Sequence, residues 1–549
     1  MGLNLNDIGI IGWWTQEAME PDISTFGIHK AILKISKPIF IVNVEDTMGA
    51  ATYGTITIGK EIPDAGEGYP LCAYAPPLLP EDLGNPQFRK EHKLRYAYII
   101  GDMANGISSC DMVEFAGQSG MLGFFGSGGL SLDEIESATC RLKSNLQDIP
   151  FGMNLIHTPG DLEYELAVVN LYIKHGIKLI SAAAYMRLTF PLVYYRVHGI
   201  YKDSCGNIIT PNKIIAKISR VEVAEQFLSP PPKKILEQLV SKNLITQEQA
   251  SIAEYIPMAE DITAEADSGG HTDNRPAIAL LPTIIALRDQ MQDQYNYKNI
   301  VRIGLAGGIA TPVSTAAAFA MGADYVLTGS INQSCIEADT SEVVKEMLAK
   351  AGQADVTMAP AADMFEMGVK VQVLKKGTMF AQRSTKLYEL YSKYNDYYDI
   401  PEKERETIEK KFLQKSFDNS WIDTKEFFTK RDPSQVERAE SNSKHKMALV
   451  FRSYLGRSSK WAMTGEPSRK MDYQIWCGPA IGAFNEWVKG SFLEEYKNRD
   501  IVTIGMNLLF GACVAFRINW LKSQKILLPQ NCGRFKPLSL SEINSILSD

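Results

Sequence analysis

Through the middle of the chain, short apolar runs rich in β-branched and aromatic residues alternate with longer stretches of helical periodicity. That alternation predicts parallel βα units, because a strand buried on both faces reads as a continuous apolar run. Eight such runs are visible: YAYIIG from Tyr96, MLGFFG from Met121, PFGMNLI from Pro150, IKLISAA from Ile177, KIIAKIS from Lys213, DITAEA from Asp261, VRIGLA from Val301 and DYVLTG from Asp324. Most are separated by one helix-length segment, such as LEYELAVVNLYIKHG or RPAIALLPTIIALRDQ. Eight βα units in roughly 250 residues predict an α/β fold with a (β/α)8 TIM barrel. A doubly wound sheet is the competing arrangement. It carries its glycine-rich phosphate turn after the first strand, whereas here the clearest such turns follow the seventh and eighth.

The barrel is expected over residues 93–355. Its fifth and sixth strands lie too far apart for one helix, and SPPPKKILEQLVSKNLITQEQASIAEYI, opened by Pro230 to Pro232, predicts a helical insertion at about 222–258. An insertion after a strand belongs to the catalytic end of a barrel, so it is expected to cover the site. Residues 1–92 form an N-terminal segment packing on the barrel, with Pro and Gly around Pro63 to Pro86; residues 356–549 read as mainly helical. No solenoid period is apparent.

A chain of 549 residues predicts two or three domains, and 45% hydrophobic with 22% charged residues is an ordinary globular balance. The net charge of -7 argues against general nucleic-acid binding. No apolar run is read as reaching the length of a membrane span. The start lacks a basic signal region, and Asp7 spoils the partial myristoylation match at Gly2. The eight cysteines are scattered without a CxxC pair, which reads as reduced thiols in a cytoplasm rather than disulfides or a zinc site.

Four stretches carry candidate chemistry. In GLAGGIATP, Gly307 and Gly308 follow a strand and Thr311-Pro312 opens a helix; in LTGSINQ, Gly329 and Ser330 follow the next strand. Glycines let backbone N–H groups approach a phosphate, and a helix N-terminus favours its charge. Two such turns after strands seven and eight form a barrel phosphate site. With no second dinucleotide motif, they point to flavin mononucleotide (FMN) rather than FAD. In EADSGGHTDNRP, at the end of the sixth strand, Glu265 precedes Gly269 and Gly270, which let the backbone lie flat against a planar ring, and His271, which suits proton transfer near neutrality. In IIGDMANGISS, Met103, Ala104 and Asn105 are candidates to meet an isoalloxazine edge. Asn154 is polar within the third strand. Lys217 is a cation inside the fifth, a costly position unless it pairs with a phosphate, a flavin carbonyl or Glu265. No HxxxH or HExxH spacing supports a metal.

GGH at the sixth strand and AGGI at the seventh resemble the nitronate monooxygenase-like flavoproteins. FRKEHKLRYAYIIGDMANGI, LGFFGSGGL, AEADSGGHTDNRP, DMFEMGVKVQVLKKGTMF, KHKMALVFRSYLG and DYQIWCGPAIGAFNEWVKG extend the resemblance to the trans-acting enoyl reductases of polyketide and polyunsaturated fatty acid synthases, the PfaD family. Asp267 before Ser268, where many nitronate monooxygenases carry Glu, favours the reductase branch.

The resemblance implies reduction of an α,β-unsaturated thioester on an acyl carrier protein, with FMN as cofactor and NADPH or NADH as donor. It implies phosphate binding for Gly307, Gly308, Gly329 and Ser330, and flavin contacts for Met103, Ala104, Asn105, Asn154 and Lys217. Glu265, Gly269 and Gly270 would flank the ring, and His271 would be the catalytic histidine. The 356–549 region would then face the substrate or the carrier protein. The implied partners are acyl carrier protein and polyketide or fatty acid synthase modules, and an oligomer is compatible with the sequence. Arg452, Arg457, Lys460, Arg469 and Lys470 form a basic stretch expected to dock acidic carrier proteins. The alternative function is a nitronate monooxygenase, which needs the same flavin with His271 as base. A flavin-free scaffolding protein is the non-enzymatic alternative.

Overall fold

The computed structural model describes residues 9–17, 19–59, 68–158 and 161–548. The features read at Gly2, Asp7 and Pro63 lie outside them. All eight expected strands form and close into a parallel barrel. They are Tyr98–Ile100, Leu122–Phe125, Gly152–Ile156, Leu179–Ala183, Lys213–Ile218, Asp261–Glu265, Arg302–Ala306 and Val326–Thr328. Closure is made by the eighth strand on the first, in the register Val326↔Tyr98, Leu327↔Ile99 and Thr328↔Ile100. The competing doubly wound sheet is thereby excluded.

Seven strands are followed by helices on the outer wall, from Cys110–Gln118 after the first to Pro312–Ala320 after the seventh. The helix in the eighth position comes from much further along the chain. Ile501–Ser523 packs between Pro312–Ala320 and Cys110–Gln118. Close packing needs small residues there: a Cβ on Gly511 would stand 2.6 Å from Pro312 Cγ. By length and composition this helix could cross a membrane, contrary to the expectation that no apolar run is long enough. Its most apolar window is 83% buried inside the protein, which is why it is apolar all round.

The N-terminal segment is an antiparallel sheet with strands Gly12–Thr15, Ile39–Val44, Thr47–Ala51, Thr55–Ile58 and Tyr69–Ala75, and one helix, Thr25–Leu33. Its tightest hairpin turns on Glu45 and Asp46, both with positive φ, as a two-residue turn between twisted strands requires. Arg517, on the returning helix, binds this segment to the barrel. Its buried guanidinium donates to the carbonyls of Ala31, Ile32, Lys34, Ile35, Lys37 and Pro76.

The insertion after the fifth strand contains helices Val221–Leu228, Lys233–Ser241 and Gln247–Ala253. The last two pack on the outer helix Phe190–Val197. Gln247–Ala253 also meets the hairpin strand Tyr201–Lys202. The insertion therefore lies along the barrel wall, not over the mouth as expected. The chain after the eighth strand reaches the mouth instead. Val356–Pro360 and Lys370–Leu374 form a sheet with Gly270–His271, and helices from Phe380 to Thr464 follow.

Candidate active site

The C-terminal ends of the barrel strands gather the predicted polar residues around one that the sequence reading left out. Asp102 lies just beyond the first strand and is 7% exposed. Its Oδ1 meets Lys217 Nζ at 3.1 Å; its Oδ2 accepts from Asn154 Nδ2 at 2.5 Å and from Ser181 Oγ at 2.7 Å. Lys217 Nζ also meets Glu265 Oε1 at 3.1 Å. Burial works against the Lys217 ammonium, but the charges of Asp102 and Glu265 outweigh it and hold its pKa above the usual lysine value. The expected partner Glu265 is thus present, and Asp102 makes the pair a triad. Asn154 Oδ1 is buried and has no partner among the described residues.

The phosphate-type turns adjoin this network. Gly307 and Gly308 have φ of 82° and 79°, the left-handed region that glycine adopts without strain. A Cβ on Gly307 would stand 2.7 Å from the Ala266 carbonyl carbon, so this turn lies on the sixth-strand loop. At Gly308 and at Gly329 a Cβ would meet nothing within 4 Å. Those two faces border open space, and Gly308 stands four residues before helix Pro312–Ala320. Ser330 Oγ accepts from Gly478 N–H at 2.9 Å, which brings the Cys477–Gly478 crossing onto the site.

That crossing explains Gly269: a Cβ there would stand 2.7 Å from Cys477 Cα. Gly270 and His271 pair as a strand with Gln372 and Val371. Gln372 Nε2 donates to Asp267 Oδ1 and to the Ser268 carbonyl, both at 2.7 Å. The loop carrying His271 is therefore held by residues about a hundred positions downstream.

His271 Nε2 lies 3.3 Å from Asp363 Oδ2, and the two side chains are 37% and 48% exposed. Burial pulls the imidazole pKa down, but the hydrogen bond and charge of Asp363, with the charge of Glu265, raise it above the ordinary histidine value. Burial pushes the Asp363 carboxyl up, and His271 outweighs that and holds it below its usual range.

The Met103–Asn105 turn is tightly self-bonded. Met103 N–H donates to Ser108 Oγ at 2.9 Å and Asn105 N–H to the Gly128 carbonyl at 2.7 Å. Asn105 Nδ2 donates to Ser459 Oγ at 3.2 Å, so helix Ser443–Thr464 abuts this loop.

The basic stretch expected to dock a carrier is divided: one of its five residues is buried, two are engaged in part-exposed contacts and two are exposed. Arg469 is 8% exposed and donates to the Phe412 and Leu413 carbonyls at 2.7 and 3.0 Å. Arg457 pairs with Asp423 at 3.2 Å, and Arg452 donates to the Ala362 carbonyl at 2.9 Å. Lys460 and Lys470 remain exposed.

Residues 87–392 match the family model for nitronate monooxygenase, which covers more than half of the chain. The chain belongs to the nitronate monooxygenase family. Residues 394–473 match a second model, the inserted helical domain of [acyl-carrier-protein] S-malonyltransferase. Within the nitronate monooxygenase family, its relatives come from polyketide and polyunsaturated fatty acid synthesis, the PfaD-like branch. The polyketide biosynthesis protein PksE of Bacillus subtilis is 46% identical over 80% of this chain and 57% of its own length. A polyunsaturated fatty acid synthase component of Thraustochytrium sp. is 43% identical over 80% of this chain and 30% of its own. The chain thus spans less than two thirds of these relatives. The crystal structure of the enoyl reductase domain of MlnA, from the macrolactin cluster of Bacillus amyloliquefaciens, superposes with a TM-score of 0.77. Its identity is 42%, covering 81% of this chain and 99% of that domain.

The residues fit a phosphate-bearing flavin. Gly308 and Gly329 leave a cradle that a side chain would fill, and Asn154 Oδ1 is an acceptor in want of a donor beside Lys217. Sequence reasoning missed Asp102, Ser181, Asp363 and Gln372. Only Asp102 left a signal: a lysine inside a barrel strand calls for a partner, and Asp102 closes the first-strand run, which lies across the barrel from the fifth.

Proposed function

We propose that this protein is an FMN-dependent enoyl reductase that acts in trans. In this reading it reduces α,β-unsaturated acyl thioesters on acyl carrier protein with NADPH or NADH, in cytoplasmic polyketide or polyunsaturated fatty acid assembly. The carrying observation is the anionic company of His271: Asp363 and Glu265 favour the protonated imidazole, the form that gives a proton rather than takes one. Bound there, FMN would supply the hydride chemistry that links the nicotinamide to the β-carbon of the enoyl thioester.

Gly307, Gly308, Gly329 and Ser330 would hold the phosphate, with the dipole of helix Pro312–Ala320 favouring its charge. Asn154 and Lys217 would face the polar edge of the flavin, and Gly270, whose side-chain position is open, would leave its face clear, while Gly269 makes room for the Cys477 backbone. His271 supplies the α-carbon proton. The helical unit over 394–473 faces the carrier protein, a reading supported by its likeness to the inserted domain of an acyl-carrier-protein transferase.

The test is an anaerobic two-step titration. The FMN-loaded protein is reduced with NADPH and then mixed with crotonyl thioester. Reoxidation of the flavin band with formation of the saturated thioester is expected. No reoxidation by the thioester, together with oxygen uptake on alkyl nitronates in a separate aerobic assay, would replace this reading with the nitronate monooxygenase, in which His271 is a base.

A further inference from the structure

The barrel brings His271 to the mouth, but the elements that grip it come from the chain beyond the barrel. Strand Lys370–Leu374 pairs with Gly270–His271 and fixes the His271 backbone. The turn joining Val356–Pro360 to Lys370–Leu374 brings Asp363 Oδ2 to His271 Nε2. That carboxylate is itself aimed: its Oδ1 accepts from Met364 N–H at 3.0 Å. The turn is closed by Ala361 N–H on the Val369 carbonyl at 2.9 Å and anchored by Phe365, which is wholly buried. Arg452 clamps it from helix Ser443–Thr464, donating to the carbonyls of Ala362 at 2.9 Å and Asp363 at 3.4 Å and to Glu366 Oε1 at 3.2 Å.

Resting on the enoyl reductase reading, we propose that Asp363 is the positioning residue for His271: it engages Nε2, leaving Nδ1 as the nitrogen that gives up the proton. The carboxylate at 3.3 Å favours a proton on Nε2 in both the charged and the neutral ring, so the tautomer left after proton transfer would be the one protonated on Nε2. Among the described residues Nδ1 has no partner. Arg452 serves the same end by fixing the turn, which gives a function to a cation that the sequence had suggested for docking.

The charged groups acting on His271 are Asp363 from the turn and Glu265 from the sixth strand. Glu265 is shared with Lys217, whereas Asp363 is directed at the imidazole alone among titratable groups. The opposing residue in the paired strand is Val371, which does not titrate. A pair this exposed adds little to fold stability. Its consequence is therefore expected in the protonation and orientation of the ring.

The test uses the FMN-loaded full chain with isotope-labelled histidine. There are seven histidines, and His271→Gln identifies the resonance of His271. In Asp363→Asn its titration midpoint should fall below that of the wild type, and Asp363→Glu should restore it. Arg452→Ala should move it in the same direction as Asp363→Asn, by less. Stopped-flow reoxidation by crotonyl thioester should slow about two- to fivefold at pH 8 in Asp363→Asn, the rate equivalent of an exposed ion pair. Near pH 5.5, where the ring is protonated in both proteins, the rates should converge.

An unchanged midpoint in Asp363→Asn would overturn the positioning role. A shifted midpoint with an unaltered reoxidation profile would uphold the pairing and overturn the assignment of His271 as the proton donor. Loss of enoyl-dependent reoxidation in the wild type would overturn the reductase reading itself.

Discussion

Lys217→Met should destabilise the cofactor-free protein by about 3 kcal/mol. At 3.1 Å from each carboxylate, Lys217 has an attraction of about 5 kcal/mol per pair at an effective dielectric of ~20. Desolvation of the three groups offsets much of this. Removing one partner of a buried pair typically costs about 3–5 kcal/mol, because the other charge stays buried. Asp102, with a side chain 2% exposed, cannot reach solvent; Glu265, at 20%, can relax outward, which places the cost at the lower end. Asp102→Asn in the Lys217→Met background should recover at least about 1 kcal/mol by removing the stranded charge. Equilibrium urea unfolding of the two single variants and the double variant measures all three terms. A Lys217→Met cost within about 1 kcal/mol, or strict additivity in the double variant, would refute the triad as a coupled unit. If the double variant regains stability yet fails to retain FMN, Lys217 has a separate role toward the flavin.

His271→Ala should still be bleached by NADPH, but its reoxidation by crotonyl thioester should slow by at least ~10²-fold, the lower range for a positioned general acid, in stopped-flow absorbance. In the wild type that second phase should weaken as pH rises through the raised His271 pKa, because the protonated form that persists below it is the donor; a phase that strengthens toward alkaline pH would argue for a base. Gly329→Val should fold normally, its φ being ordinary and its side-chain space open, yet lose FMN by mass spectrometry of the released chromophore. Full FMN occupancy would reduce LTGSINQ to a structural turn, and recovery of FAD alone would reject the cofactor. Arg517→Met strands the carbonyls of the N-terminal segment, at a cost of about 3 kcal/mol or more. Hydrogen exchange should rise first in Thr25–Leu33 and Ile39–Val44, and unchanged protection there would remove Arg517 as the clamp.

The strands of the barrel and the two phosphate-type turns are written locally. A strand buried on both faces needs a run of apolar residues, and a turn with φ near 80° at Gly307 and Gly308 needs glycine, so each shows within a few positions. His271 was legible for the same reason, through the glycines before it and its place at a strand end. What meets across the chain was not legible. Asp102 and Lys217 stand 115 residues apart. Asp363 reaches His271 through the register of a small sheet, and Gly478 reaches Ser330 over 148 residues. The insertion after the fifth strand went to the wall because its apolar faces pack on Phe190–Val197, and nothing in its own pattern names that partner. Ile501–Ser523 takes the eighth helical position because the barrel offers an apolar groove there and the small Gly511 admits it. Periodicity states which face of an element must be buried; which distant surface buries it is chosen by shape and charge in the folded chain.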